Sequence, residues 1–245
     1  MFDMKIRADI LKETVELASC IVEEIKLTMK KDGLAVRAVD PSHVAMIEMK
    51  LSKKAFEEFK ASDQDIGIDL NKIKDLLKLI KPDEMVSWRS EDKKNRILFE
   101  VGNMKRYMSP VDLGGMTDPK VPDLTLPGKV VLDINEVRKG IRAAESISDH
   151  IAFLLSPNEF KMEAEGDTEK MELSLTKDKG ISDMIAPGPM RSLYPLDYLT
   201  TMVKAINSPT ITILMANDYP AKIEFQLANG AGEGSFLLAP RIENV

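Results

Sequence analysis

Leu11-Lys12-Glu13-Thr14-Val15-Glu16-Leu17-Ala18 opens a stretch, residues 11 to 41, that occurs twice in the chain. Its counterpart, Val137-Arg138-Lys139-Gly140-Ile141-Arg142-Ala143-Ala144, begins 126 positions later. At that offset Leu11 falls on Val137, Val15 on Ile141, Ala18 on Ala144, Ile21 on Ile147 and Ile25 on Ile151. Leu27 then falls on Phe153, Leu34 on Phe160, Val36 on Met162 and Ala38 on Ala164. The correspondence survives further on, pairing Ile73 with Leu199, Leu76 with Met202, Leu77 with Val203, Ile80 with Ile206, Met85 with Ile211 and Phe99 with Phe225. A repeat of about half the chain means two similar domains rather than a solenoid of short units.

Each half reads as helices between strands. Residues 5 to 10 look extended, and Leu11, Val15, Ala18 and Val22 then recur at helical spacing. Asp32-Gly33 is a turn, and strand-like alternation follows, Leu34, Val36, Ala38 before Asp40-Pro41 and Ala45, Ile47, Met49, Leu51 after it. Residues 53 to 60 fit either a helical turn or an edge segment. A second helix is predicted from Asn71 to Ile80, with Ile73, Leu76, Leu77 and Ile80 as its apolar stripe and Pro82 as its stop. Strands are predicted near 85–89, 96–101 and 105–113.

The second half repeats the order, with a strand at 129–134, a helix at 136–146 and strands near 151–155, 160–164 and 170–176. A helix at 196–206 follows, then strands near 210–215, 221–227 and 234–239. The expected class is α+β: two tandem domains, each with two helices on one face of antiparallel sheet. Residues 1–113 and 129–245 are the expected domains, and 114–128, with three prolines and three glycines, the connector between them. Leu124 and Leu126 are out of place in a plain solvated tether.

With 44% hydrophobic and 30% charged residues, the chain is globular rather than disordered. One cysteine, Cys20, excludes an internal disulfide and reads as a buried thiol of the first helix. Two histidines and no Cys/His spacing leave no zinc pattern, and no metal or cofactor is expected. Met1-Phe2-Asp3-Met4-Lys5-Ile6 is no signal sequence, and no window approaches a membrane span, so an intracellular protein without a membrane partner is expected. There is no phosphate loop, dinucleotide fingerprint or nucleophile motif. Asp40, Ser42 and His43 lie too close along one turn to form a triad, so His43 reads as a turn or groove residue, and no enzyme is expected. His150 shows no partner in the sequence.

The net charge of −6 hides a segregation. Lys74, Lys78 and Lys81 fall at i, i+4 and i+7 beside the second apolar stripe, with Lys72 near them and Asp75 opposing. Arg138 and Arg142, with Lys139, form the equivalent row on the third helix; Lys12 and Lys204 hold similar places on the first and fourth. Glu13 and Glu16 weaken the pattern on the first helix. Basic helix faces that point one way would bind a phosphate backbone without reading bases.

The run Leu34-Ala35-Val36-Arg37-Ala38-Val39-Asp40-Pro41-Ser42-His43-Val44-Ala45 closely resembles the sliding clamps of the proliferating cell nuclear antigen family, archaeal ones especially. Leu237-Leu238-Ala239-Pro240-Arg241-Ile242-Glu243 resembles the family's C-terminus, and Met1-Phe2, the connector and Ala164-Glu165-Gly166-Asp167 also match. The resemblance covers the entire chain. It implies a homotrimeric ring around duplex DNA, with helices lining the hole, closed by strands near 105–113 of one subunit and 170–177 of the next. The DNA-facing residues would be Lys12, Lys74, Lys78, Lys81, Arg138, Lys139, Arg142 and Lys204.

It also implies a groove for partner peptides, lying in the family between the domains and under the connector. Carried over by position, its residues are Val39, His43, Val44, Met46, Leu124, Leu126, Pro127, Pro220, Leu237, Ala239 and Pro240. Leu237 departs from the family, where an aromatic is frequent. The implied role is a DNA polymerase processivity factor and docking platform. Its implied partners are DNA polymerase, the clamp loader replication factor C, flap endonuclease and DNA ligase. If archaeal, the chain would reside in the cytoplasm or nucleoid. The rivals are a subunit of a heterotrimeric or checkpoint clamp, an acidic scaffold that never touches nucleic acid, and a hydrolase with an unrecognised carboxylate site.

Overall fold

The computed structural model describes residues 1–116 and 118–242. The chain forms two compact units, one of Met1–Lys120 with Gln226–Gly234, the other of Val121–Phe225 with Ser235 onward. The N-terminal unit runs β1 (Phe2–Arg7), α1 (Ala8–Ala18), β2 (Glu24–Lys30), β3 (Gly33–Val39), β4 (Ala45–Ser52), β5 (Glu58–Ala61), β6 (Gln64–Asp69), α2 (Leu70–Leu77), β7 (Met85–Glu91), β8 (Arg96–Val101) and β9 (Met104–Met108). The C-terminal half of the chain repeats that order: β10 (Gly128–Asp133), α3 (Ile134–Ala144), β11 (His150–Ser156), β12 (Glu159–Glu165), β13 (Lys170–Leu175), β14 (Ile181–Ile185), β15 (Met190–Pro195), α4 (Leu196–Ala205), β16 (Thr210–Met215), β17 (Ala221–Leu227) and β18 (Gly232–Leu238).

The strands of each unit divide between two antiparallel ladders. In the N-terminal unit the orders are β5-β1-β7-β8-β9 and β4-β3-β2-β6; in the C-terminal unit they are β14-β10-β16-β17-β18 and β13-β12-β11-β15. The two lists correspond strand for strand, so the architecture is α+β and duplicated. The paired positions of the repeat are the reason. Leu11 and Val137, Val15 and Ile141, Leu27 and Phe153, and Leu76 and Met202 are all buried. Each is an inward position whose loss would open a cavity. The N-terminal core is centred on Phe2, Trp88 and Phe99, with Trp88 stacked on Phe99 at 5.5 Å between centroids. Phe153 serves the other unit, against Phe160 at 5.4 Å and Tyr194 at 5.3 Å.

Several element bounds differ from the sequence reading. The first strand ends at Arg7 rather than residue 10, because Ala8 and Ile10 face the core of a helix whose first N–H groups are taken by Glu84 O, Pro82 O and the Asp9 carboxylate. The second helix stops at Leu77 rather than Ile80: Leu79 N and Ile80 N donate to Leu76 O and Leu77 O in tighter, three-residue turns. The strand predicted over 105–113 ends at Met108, and Val111 turns back to donate its N–H to Gly67 O at 3.0 Å. A side chain at Gly67 would put its Cβ 2.3 Å from Val111 O, so glycine is required there. Residues 53–60 contain both alternatives, a short 3-10 turn at Lys53–Ala55 and then the start of edge strand β5. The sequence reading contains no strand at β2, β6, β14 or β15. No helix among the described residues is long and apolar enough to cross a membrane.

Candidate nucleic-acid and peptide interfaces

The cations assigned to the helices do not share one fate. On α1, Lys12 is exposed and pairs loosely with Glu16 at 3.8 Å. Lys74 is half-buried on α2. Lys78 caps the end of α2 and reaches Asp75 at 2.8 Å, and Lys81 lies beyond the helix, so the i, i+4, i+7 row does not exist as one helical row. The Lys78 ammonium, by hydrogen bond and charge, holds the Asp75 carboxyl below its ordinary pKa. Lys81, Arg142 and Lys204 are exposed and hold no ion pair among the described residues; Lys139 meets Glu136 at 3.7 Å. Exposed pairs of this kind contribute about 0–1 kcal/mol, so a phosphate could displace the carboxylate at little cost.

Arg138 departs from the assignment. Its Nη2 donates to Ile206 O at 2.5 Å, its Nε to Val203 O at 3.3 Å and its Nη1 to Asn135 Oδ1 at 3.3 Å. It therefore caps the C-terminal carbonyls of α4, where a cation also suits the helix dipole. The sequence places Arg138 in a basic row, but the structure spends its donors on the neighbouring helix.

The residues expected to dock partner peptides are divided between the two units. In the N-terminal unit they surround the corner between β3 and β4. Val39 and Val44 are half-buried, Met46 is buried and His43 is exposed. The corner is held by Asp40, only 4% exposed, whose carboxylate accepts from Ser42 N at 3.0 Å and from Val44 N and Ala45 N at 2.7 Å each. His43 N donates to Asp40 O, and His43 takes φ +56°, a left-handed conformation uncommon for a non-glycine residue. Asp40 thus serves the backbone as the anchor of an Asx turn. Sequence reading missed this role, although Asp-Pro-Ser carries the turn signal.

In the C-terminal unit Leu124, Leu126, Pro220, Leu237, Ala239 and Pro240 are half-buried and Pro127 is exposed. Residues 118–127 have no regular structure. The loop bearing Pro220 is tied to β15: Asp218 N donates to Arg191 O at 2.9 Å, Ser192 Oγ to Ala216 O at 2.8 Å, and Tyr194 Oη to Tyr219 O at 2.9 Å. Burial pushes the Tyr194 phenol up to about 12, so it remains a donor. After Pro240 the chain returns to the same strand, with Arg241 N on Leu193 O at 2.7 Å and Arg241 Nη1 against His150 Nε2 at 2.8 Å. His150 thereby has a partner that the sequence did not reveal. Tyr219 and Ile242, at 40% and 69% exposure, add apolar surface that sequence reading omitted. Glu243, the last residue of the C-terminal motif, lies outside the described residues.

Cys20 lies two residues past α1, half-buried, with Sγ 3.3 Å from Glu16 O; burial raises its thiol to about 11. Among the described residues no group of three or more His, Cys, Asp or Glu side chains is placed to hold a metal ion.

Two duplicated units with basic residues exposed on their helices define a clamp-like class of protein. Residues 1–116 match the family described as proliferating cell nuclear antigen, N-terminal domain, and residues 120–241 match its C-terminal domain. The chain belongs to the proliferating cell nuclear antigen family. It is 41% identical over 246 aligned positions to a protein named DNA polymerase sliding clamp from Methanosarcina mazei, covering 100% of both chains. It is 38% identical to one of the same name from Thermoplasma acidophilum, covering 95% of this chain and 96% of that one. Among solved structures, one described as the C-terminal region of FEN-1 bound to A. fulgidus PCNA superposes with a TM-score of 0.93 at 30% identity, covering 100% of each chain. PCNA from Thermococcus kodakaraensis shares the fold, with a TM-score of 0.90 at 23% identity over 98% of this chain and 100% of that one. The family is one of non-catalytic clamps, so the chain is not an enzyme.

Proposed function

We propose that this chain is a DNA sliding clamp whose copies close, as a homotrimer, into a ring around duplex DNA. The observation that carries this reading is the full-length similarity to archaeal proteins named DNA polymerase sliding clamp, at up to 41% identity. Two features of the fold support it. β9 and β13 each end a ladder in their own unit, and an uncovered strand edge offers a row of unpaired N–H and C=O groups. Pairing β9 of one copy with β13 of the next is a head-to-tail contact, which closes a ring when the rotation permits. Lys12, Lys78, Lys81, Lys139, Arg142 and Lys204 are exposed on or beside the helices of both units and would give weak, sequence-independent contacts to phosphates. Weak contact suits sliding, since enclosure rather than affinity retains the DNA.

The same reading makes the chain a processivity factor and docking platform. DNA polymerase, replication factor C, flap endonuclease and DNA ligase would engage Val39, His43, Val44, Met46, Leu124, Leu126, Pro127, Pro220, Leu237, Ala239 and Pro240 through short peptides. Those peptides would present apolar and aromatic anchors to the half-buried apolar positions. The FEN-1 segment held by the A. fulgidus relative supports that mode. Tethering would raise a partner's concentration at the DNA to roughly the mM range of short linkers. Sedimentation of the purified chain alone tests the assembly. A trimer supports the reading; a stable monomer transfers the chain to the heterotrimeric-clamp alternative.

A further inference from the structure

The outward face of β2, β3 and β4 is used by none of the residues assigned above. In register across the three strands stand Lys26, Arg37 and Glu48, then Thr28, Ala35 and Lys50, then Lys30, Gly33 and Ser52. One wall is the tip of the last hairpin, which belongs to this unit: Ser52 N and Ser52 Oγ both donate to Ala231 O, at 3.0 and 2.9 Å. Asp118 stands on the other side, its carboxylate 2.5 Å from Lys26 Nζ. Together they bound a cleft of about 930 Å³. The middle of its floor is small, at Thr28, Ala35 and Gly33; five cations, Lys26, Lys30, Arg37, Lys50 and Lys54, border it together with four carboxylates, Asp32, Glu48, Asp118 and Glu233.

The duplication provides an internal comparison. The corresponding positions of the C-terminal unit are Ala152, Leu154 and Ser156 on β11, Glu159, Lys161 and Glu163 on β12, and Glu172, Ser174 and Thr176 at β13. Three anions and one cation stand there, where the N-terminal face has four cations and one anion. The same sheet position has thus acquired the opposite sign in the two halves of a protein whose net charge is −6. A merely solvated face gives no reason for that.

The cleft already receives carboxylates from chain segments laid against it. Asp118 arrives from a segment without regular structure, and Glu233 from the hairpin tip reaches Lys50 at 3.9 Å. Capacity remains. Arg37 gives Nη2 to Glu48 at 2.6 Å, while its Nε is buried with no hydrogen-bond partner. Lys30 and Lys54 are exposed and hold no ion pair among the described residues. The Arg37 side chain is 38% exposed, and the solvent-facing part of its guanidinium can donate further hydrogen bonds to an incoming carboxylate.

We propose that this cleft docks an extended acidic peptide segment of a partner protein, its Asp or Glu side chains held by Arg37, Lys30 and Lys54. The site is separate from the residues proposed for apolar peptide anchors, so a partner could use both.

The test is fluorescence anisotropy with the full-length protein and a labelled Glu-rich peptide lacking aromatic residues. Saturable binding that weakens with added NaCl is expected. Lys30→Glu with Lys54→Glu should weaken it by about tenfold or more, the order expected when charge-assisted hydrogen bonds are lost. Arg37→Lys, which keeps the charge but removes the planar donor fork, should also weaken it. Lys93→Glu with Lys94→Glu, an equal change of charge on an exposed turn elsewhere in the unit, should leave it within about twofold. The proposal is overturned by absence of saturable binding or by equal loss in the Lys93/Lys94 control. Tighter binding of tripolyphosphate or of a single-stranded oligonucleotide than of the peptide also overturns it.

Discussion

Arg138 separates a structural cation from the cations proposed to face DNA. Replacing it by alanine removes one short hydrogen bond to Ile206 O and two longer ones, to Val203 O and Asn135 Oδ1. A hydrogen bond to a charged group contributes about 1.5–3 kcal/mol net, and a cation at a helix C-terminus about 0.3–1 kcal/mol. The two long bonds add little, and Arg138 is partly exposed, so a loss of about 2 kcal/mol is expected for Arg138→Ala. For a chain of this size that corresponds to a fall in Tm of about 4–8 °C. Arg142→Ala, on the same helix but exposed and without an ion pair among the described residues, should stay within about 0.5 kcal/mol of wild type. Urea denaturation followed by circular dichroism measures the stability. A salt series of retention on nicked circular duplex measures the phosphate contribution, which Arg142→Glu or Lys204→Glu should reduce without unfolding the chain. Wild-type stability for Arg138→Ala, together with a retention defect equal to that of Arg142→Ala, would refute the division of roles.

Three further outcomes follow from the geometry. Asp40→Ala removes the acceptor of three backbone N–H groups around a buried position; a loss of about 3 kcal/mol in urea denaturation is expected, and a loss under about 1 kcal/mol would mean that the turn holds itself. Leu126→Ala and Leu237→Ala should each weaken capture of a partner peptide about tenfold in calorimetry, with sedimentation unchanged, and unaltered affinity would remove those residues from the docking surface. Cys20, raised to about 11 from 9.0 by burial, should resist alkylation at pH 8 in the native protein and react at once in urea. Because the folded thiol holds its proton more tightly than the unfolded one, its contribution to stability is complete below pH 9 and is lost as pH rises towards 11; rapid native labelling at pH 8 would contradict this.

The duplication was legible because buried positions carry it. Leu27 and Phe153, or Val36 and Met162, differ in size but not in the side of the sheet they face, so periodicity survives where identity does not. Two of the unpredicted strands fail that test. β6 reads Gln-Asp-Ile-Gly-Ile-Asp, with its acidic residues masking a short apolar run, and β15 buries Ser192 in an inward position where alternation expects an apolar residue. Sequence spacing likewise placed Lys78 and Lys81 in one row, since nothing in the spacing shows that the helix ends at Leu77. The signs of the candidate interface residues were legible, but not how they are spent. Arg138 and Arg142 look alike in sequence, and only the approach of the α4 carbonyls makes the first a cap. Asp40 read as a turn residue beside a histidine, while its work as a three-fold backbone acceptor depends on burial.

Encirclement is the claim that gives these parts a common purpose, and topology tests it most directly. The chain is loaded by a clamp loader onto nicked circular duplex, washed at high salt, and the circle is then cut once with a restriction enzyme. Retention on the closed circle followed by rapid loss from the cut ends is the result expected of a ring. Retention that is equally firm on linear duplex with open ends would contradict the account, since the chain would then hold DNA by grip.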